Sequence, residues 1–211
     1  MKCNLSLIML KILFYSGMLH FVNNLFSRLT YMKFIRFFNL CRKNGLGRKY
    51  LELEIMPKYY PSSKNEKILL IGSMKYNLHY SYFYLNNDVY IIEPNNKEEK
   101  CSGRAFFIND YIENIDKYIQ NNFIDIIQFN GVYGWGLNES DKLIEAIDKI
   151  YNVMNNDAIL IFGHNSKTNN PLNISDKYDY FFNKYKQESN EILPKIEFNN
   201  VDQIYIGFKK K

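Results

Sequence analysis

Gly72, Glu93, Asp110 and the run from Asn130 to Asn138 are the residues whose types and spacing suit chemistry. Gly72 closes the apolar stretch Lys67-Ile-Leu-Leu-Ile, where a residue without a Cβ lets the backbone approach a ligand, and Ser73 follows it. Glu93 comes 21 residues after Gly72, ends a second apolar stretch and precedes Pro94. That spacing suits an acid receiving hydrogen bonds from two ribose hydroxyls. An acid before Pro also serves as a plain turn former, and both readings stand. Asp110 ends a third stretch, where it could accept from an adenine amino group or simply occupy a loop. The segment Asn130-Gly-Val-Tyr-Gly-Trp-Gly-Leu-Asn138 holds three Gly within six residues, interleaved with Tyr133 and the single Trp135. It reads either as an aromatic loop floor beneath a ligand or as a tight turn with Trp135 in the core.

Other chemistries lack their residues. There is no G-x-S-x-G elbow and no P-loop, and His20, His79 and His164 stand apart from one another. Cys3, Cys41 and Cys101 are too widely spaced for a zinc cluster or a disulfide framework, so no metal site is expected and a reducing compartment fits. His164, directly after Gly163, is the one His near a strand end; it reads as a proton acceptor or as a capping residue.

These residues need elements to hold them at one edge. Residues 67–72, 88–93, 104–110, 123–130 and 157–163 read as buried strands. A short helix is expected before Leu85. The apolar positions Leu143, Ile144, Ile147, Ile150, Tyr151 and Met154 predict an amphipathic helix over 141–154, with Asn138 or Ser140 as its N-cap. A further helix is expected over 176–186. Residues 194–198 and 203–208 then read as strands joined through Asn199-Asn200, too tightly for a helical crossover, so the last strand is antiparallel. The expected fold is α/β: a Rossmann-like, doubly wound, mostly parallel seven-stranded sheet with an antiparallel last strand. Ligands in such sheets bind at the carboxyl ends of the strands, where the residues above gather.

The order Ile-Gly72, Glu93, Asn-Asp110, then Asp125-Ile-Ile-Gln-Phe-Asn130-Gly resembles the class I S-adenosylmethionine-dependent methyltransferases. The Asn-Gly-Val-Tyr-Gly-Trp-Gly-Leu-Asn run is similar to a group of small bacterial members, and the resemblance spans about Tyr50 to Lys210. It implies S-adenosyl-L-methionine as cofactor, with Gly72 and Ser73 at its methionine part, Glu93 at the ribose and Asp110 at the adenine. Asn130 and Gly131 match the position bordering the methyl group. His164 and Tyr133 are then the candidate catalytic residues, Tyr133 with Trp135 through cation–π contact to a sulfonium. The sequence departs from the family at Leu70, where an acid is usual, and at Ser73-Met74-Lys75, where Gly usually recurs. An inactive scaffold of the same fold is the alternative; a nicotinamide-dependent oxidoreductase is disfavoured by the closing hairpin and the single Gly. The acceptor is expected to be a small or carbohydrate-like molecule.

Composition divides the chain. Its 211 residues, 46% apolar and 23% charged, suffice for one cored domain and exclude a disordered or collagen-like chain. Nine of the 27 Lys and Arg precede Glu52, whereas all 22 acidic residues lie from Glu52 onward. The +5 net charge is therefore an excess carried by the front segment. Residues 1–50 are expected to form a helical extension and residues 51–211 the methyltransferase-like domain. Leu5 to Val22 is apolar, but Lys11 at its centre costs roughly 2.5–3.5 kcal/mol on insertion scales, so a span is disfavoured. No signal-peptide cleavage site stands out. Phe21 to Lys43 interleaves aromatic and basic residues, as in a helix lying on an anionic membrane surface or one covering its own domain. Nucleic-acid binding is the weaker reading, because no recognised module accompanies the charge. The expected location is the cytoplasm, against the inner face of a membrane.

Overall fold

Ile68, Leu69, Leu70 and Ile71 are all buried, so strand β1 (Lys67–Ile71) is covered on both faces, as a central parallel strand must be. The computed structural model describes residues 50–56, 65–74, 80–84, 87–134, 136–165, 184–187 and 203–210. The chain divides into two units, Met1–Tyr59 and Tyr60–Lys211. Of the first, the described part is a π-helical turn, Leu51–Ile55, followed by Met56, in which Leu51, Ile55 and Met56 are buried. The basic and apolar segments expected over 5–43 lie outside the described residues. Among the described residues, no helix is long and apolar enough to cross a membrane.

In the second unit, β1 is followed by the short helix α1 (Tyr80–Phe83), β2 (Asp88–Ile92), a 3-10 turn (Asn96–Cys101) and β3 (Phe106–Ile108). A second 3-10 helix (Ile112–Lys117), β4 (Ile124–Asn130), α2 (Ser140–Val153), β5 (Met154–Asn165), β6 (Tyr185–Gln187) and β7 (Gln203–Lys210) complete it. The strands form one sheet in the order β3-β2-β1-β4-β5-β7-β6. All neighbouring pairs from β3 to β5 are parallel, and β7 runs antiparallel to both β5 and β6. The mixed, mostly parallel sheet with a reversed final strand agrees with the sequence reading.

Several boundaries differ from it, each for a local reason. β3 is three residues long because its expected ends do other work. Arg104 turns its guanidinium Nη1 onto the carbonyls of Tyr84 at 2.9 Å and Asn87 at 3.2 Å, closing the end of α1. At the other end Asn109 Nδ2 donates to the carbonyls of Glu93 and Pro94 at 3.0 and 2.9 Å. The N-cap of α2 is Glu139, not Asn138 or Ser140; it makes no side-chain cap bond and instead accepts from Lys142 Nζ at 2.9 Å. Tyr185 and Lys186, expected as the end of a helix, belong to strand β6. Tyr185 is fully buried there, and its hydroxyl donates to the Ile147 carbonyl at 2.7 Å. The remainder of that expected helix and the expected strand and turn over 194–200 lie outside the described residues.

One face of the sheet holds the main core. Leu143, Ala146, Ile147, Ile150 and Val153 of α2 and Ile112 and Ile115 of the 3-10 helix join Ile127, Phe129, Leu160 and Phe208 in it. The predicted helical stripe is thus the buried one, with Ile144 and Tyr151 at its half-buried margin. At the amino ends of the strands Asp125 holds three elements together. Its Oδ2 accepts from the Lys67 backbone at 2.8 Å and its Oδ1 from Asn155 Nδ2 at 2.6 Å. The opposite, carboxyl edge is left to the loops that form the site.

Candidate functional site

Parallel strands end together, so the residues after β1, β2, β3 and β4 converge. Gly72 has φ +87°, and its N–H donates to the Ile92 carbonyl at 2.9 Å, keeping the chain within the ladder's reach as it turns away. A Cβ there would stand 3.0 Å from Val132 Cγ2, so only Gly permits both the turn and the approach of the loop after β4. Ser73 is buried, and its Oγ has no hydrogen-bond partner among the described residues.

Glu93 crosses from the end of β2 towards this turn. Its Oε2 accepts from the Ser73 backbone at 3.1 Å and its Oε1 from the Asn95 backbone at 2.9 Å. A carboxylate offers about four acceptor positions. One on each oxygen is thus fixed by the main chain, and one on each is left over. The side chain is held in place without being used up.

Gly72 and Glu93, but not Ser73, line a cleft of about 210 Å³. Ile71, Gly72, Ile92, Glu93 and Pro94 form its side from β1 and β2. Tyr111, Ile112 and Glu113 close it from the turn after β3. Val132, Gly136, Leu137 and Asn138 come from the glycine-rich segment, and Glu139 and Lys142 from the start of α2. Part of that segment therefore lines the cleft, but not through its aromatic Tyr133. It folds back on itself: the N–H groups of Gly136 and Leu137 donate to the Val132 carbonyl at 2.9 and 3.1 Å. Trp135 lies outside the described residues.

The other expected site residues are placed as follows. Asp110 is at the end of β3 but is not among the cleft-lining residues. Its Oδ1 accepts from the Tyr111 N–H at 2.7 Å and Asn114 Nδ2 at 2.9 Å, and its Oδ2 accepts from Tyr118 Oη at 2.9 Å. The Asn114 amide, with the Tyr111 N–H and the Tyr118 hydroxyl, holds its carboxyl below the usual carboxylate range. Asn130 ends β4 opposite Gly163; its Oδ1 is shut off from solvent with no partner among the described residues. The Gly131 N–H donates to the Gly163 carbonyl at 3.0 Å. Tyr133 is 3% exposed and packs in the core with Phe162, ring centroids 6.4 Å apart, and burial pushes its phenol up. His164 is 2% exposed and belongs to β5, paired in register with Ile204. Neither lines the cleft.

Sequence reasoning passed over Tyr111, Glu113, Glu139 and Lys142. The available signal was their position within a few residues of a strand's carboxyl end, but none carries a motif. Among the described residues, no group of His, Cys, Asp and Glu is arranged to hold a metal ion.

No protein-family model and no curated protein matches the chain. Its fold has many counterparts among solved structures, and several of them are S-adenosylmethionine-dependent methyltransferases. The N-methyltransferase NodS from Bradyrhizobium japonicum WM9, crystallised with S-adenosyl-L-homocysteine, matches with a TM-score of 0.62 at 10% identity, over 80% of this chain and 89% of that one. The TehB-like SAM-dependent methyltransferase from Corynebacterium glutamicum matches with a TM-score of 0.59 at 16% identity, over 87% and 98%. An rRNA methylase from Streptococcus thermophilus matches with a TM-score of 0.51 at 17% identity, over 70% and 88%. At these identities the likeness is one of fold.

Proposed function

We propose that the chain is an S-adenosylmethionine-dependent methyltransferase whose cofactor occupies the cleft at the carboxyl edge of the sheet. The observation that carries this reading is the state of Glu93: anchored by two main-chain N–H groups, with an acceptor position left on each oxygen for two neighbouring hydroxyls. Two further observations bear on the fit: Gly72 makes a left-handed turn at the cleft wall, and the buried Ser73 Oγ beside it lacks a partner among the described residues. When bound, the cofactor supplies a methyl group made electrophilic by its sulfonium sulfur.

The chain's own part is binding and alignment. Glu93 would hold the ribose and Gly72 the methionine part; Ser73, at the methionine part, and Asn130 and Gly131, towards the acceptor, stand behind the cleft lining at the same strand ends. Fixing two reactants in line is itself a large share of such catalysis, with effective molarities reaching about 10⁵ M or more. Because Tyr133 and His164 are buried off the cleft, proton removal by either is not part of the proposal. We place the acceptor among small or carbohydrate-like molecules. The excess of acidic residues from Glu52 onward supports this over a nucleic acid. The basic segment before Glu52 is proposed to place the domain against an anionic membrane surface.

Calorimetric titration with S-adenosylhomocysteine tests the reading. Binding in the micromolar range is expected, with a loss of about tenfold or more in Glu93→Ala and a smaller loss in Glu93→Gln. Absence of binding at millimolar ligand ends the enzyme hypothesis, and unchanged affinity in Glu93→Ala removes Glu93 from the site.

A further inference from the structure

Among the described residues the sheet has two outer strands, β3 and β6, and they are unlike. β6 carries Lys186 as its middle residue, and a Lys on an edge strand discourages pairing with another chain. β3 is Phe106-Phe107-Ile108, without a charge. The polar residues that flank it are engaged within the chain. Arg104 gives its guanidinium to the carbonyls of Tyr84 and Asn87, and Asn109 gives its amide to those of Glu93 and Pro94. Phe106 is left 62% exposed. Its ring is nonetheless held in place, stacked on Tyr90 at a centroid distance of 5.3 Å, with Phe123 edge-on to Tyr90 at 5.8 Å.

The main chain of β3 is arranged to the same effect. The Ile108 carbonyl accepts from the Glu93 N–H at 3.0 Å, so Ile108, and Phe106 two residues before it, direct their main-chain groups to β2. The N–H and C=O of Phe107 consequently point off the edge of the sheet. One donor and one acceptor on a single residue are self-complementary about a two-fold axis. Antiparallel pairing of Phe107 with its own copy makes both bonds at once. The side chains obey the same symmetry. That register sets Phe106 of each copy opposite the partner's Ile108, on the face that also holds Tyr90. Aromatic and β-branched residues directly opposite each other stabilise an antiparallel pair, and here the contact occurs twice.

We propose that β3 is the docking edge for a second copy of this chain, joined antiparallel through Phe107 so that two sheets continue into one. Two three-residue strands and their aromatic neighbours make a small contact, below about 1,200 Å² in total, so the pair is weak and concentration-dependent. Its affinity is expected in the micromolar range. The turn that lines the cleft begins three residues beyond Ile108, at Tyr111, so the seam lies beside the cleft without using any of its lining residues. The inference does not depend on what the cleft binds.

Sedimentation velocity on the full chain, from about 1 to about 300 μM, reads the association directly. The wild-type protein is expected to pass from monomer to dimer across that range. Phe106→Lys sets a charge against the partner's Ile108 and should weaken the dimer by about tenfold or more. Oxidised Phe107→Cys should give a cross-linked dimer that the wild-type protein, with its own three Cys, does not. A wild-type protein that stays monomeric throughout overturns the inference, and that arm needs no variant to fold. If Phe106→Lys then also melts below wild type, a segment of the same chain covers the edge instead. A dimer that Phe106→Lys leaves as tight as before overturns the inference too, because the contact then lies on another face. Failure of Phe107→Cys to cross-link while it still dimerises overturns the register.

Discussion

At the scale of single residues, the carboxyl edge is a study in how acids with the same strand-end address come to different uses. Glu93 keeps acceptor capacity because its two protein donors are main-chain groups, one on each oxygen. Asp110 spends most of its capacity on its own turn. Hydrogen bonds to the charged form depress a pKa, which makes the Asp110 turn a pH-dependent source of stability. The contribution is present above the ordinary Asp value of about 3.9 and is lost as pH falls through the lower folded value. Asp110→Asn should therefore lower the melting temperature at pH 7, with the gap to wild type closing towards pH 2. Thermal melts across that range would show it; a gap independent of pH means the three donors do not favour the ionised form. Sequence located Glu93 and Asp110 but not their division of labour, because the donors that decide it come from loops without a repeating pattern. His164 stands off the cleft for a related reason. β5 continues to Asn165, so His164 is a ladder residue and not the first residue beyond the strand.

At the scale of elements, apolar runs and helical spacing were enough to read β1, β2, β4 and α2, since each buries three or more aliphatic residues. β6 was unreadable: Tyr185 is its one buried apolar residue, and no period can be seen in three positions. Contact between β5 and β7 depends on a detail that sequence could not rank. Gly163 faces Tyr205 in register, and a Cβ on it would fall 2.7 Å from the Tyr205 ring and 2.5 Å from Asn130 Oδ1. Gly163→Ala is thus an overpacking substitution, expected to cost about 1–3 kcal/mol. It should also disturb Asn130, a proposed neighbour of the acceptor. Denaturant unfolding measures the first effect. Restoring stability in Gly163→Ala by shortening the partner, as Tyr205→Leu, would confirm the clash as its cause; a Gly163→Ala protein as stable as wild type would dismiss it.

At the scale of the whole molecule, the parallel sheet, its reversed final strand and the gathering of site residues at one edge were legible from strand order alone. Charge partition added a second fact, that the excess of basic residues precedes Glu52. The cleft itself was not legible, because its walls come from four separate strand ends and the start of α2, brought together only by the sheet's register. β7 is central to that register. Its Lys210 ties the amino end of the sheet, donating to the Met154 carbonyl at 2.8 Å and to Asn122 Oδ1 at 2.7 Å. Removing residues 203–211 should leave β5 without its antiparallel neighbour and abolish cooperative unfolding, as seen by circular dichroism. A truncated protein with a sharp melt would show that β7 is dispensable.

β7, the latest described strand in the chain, lies between β5 and β6. β5 and β6 are therefore both made before the strand that joins them, and until β7 docks each presents an unpaired edge. A chain interrupted before Gln203 keeps those edges open, a ready-made invitation to chaperones, proteases or aggregation.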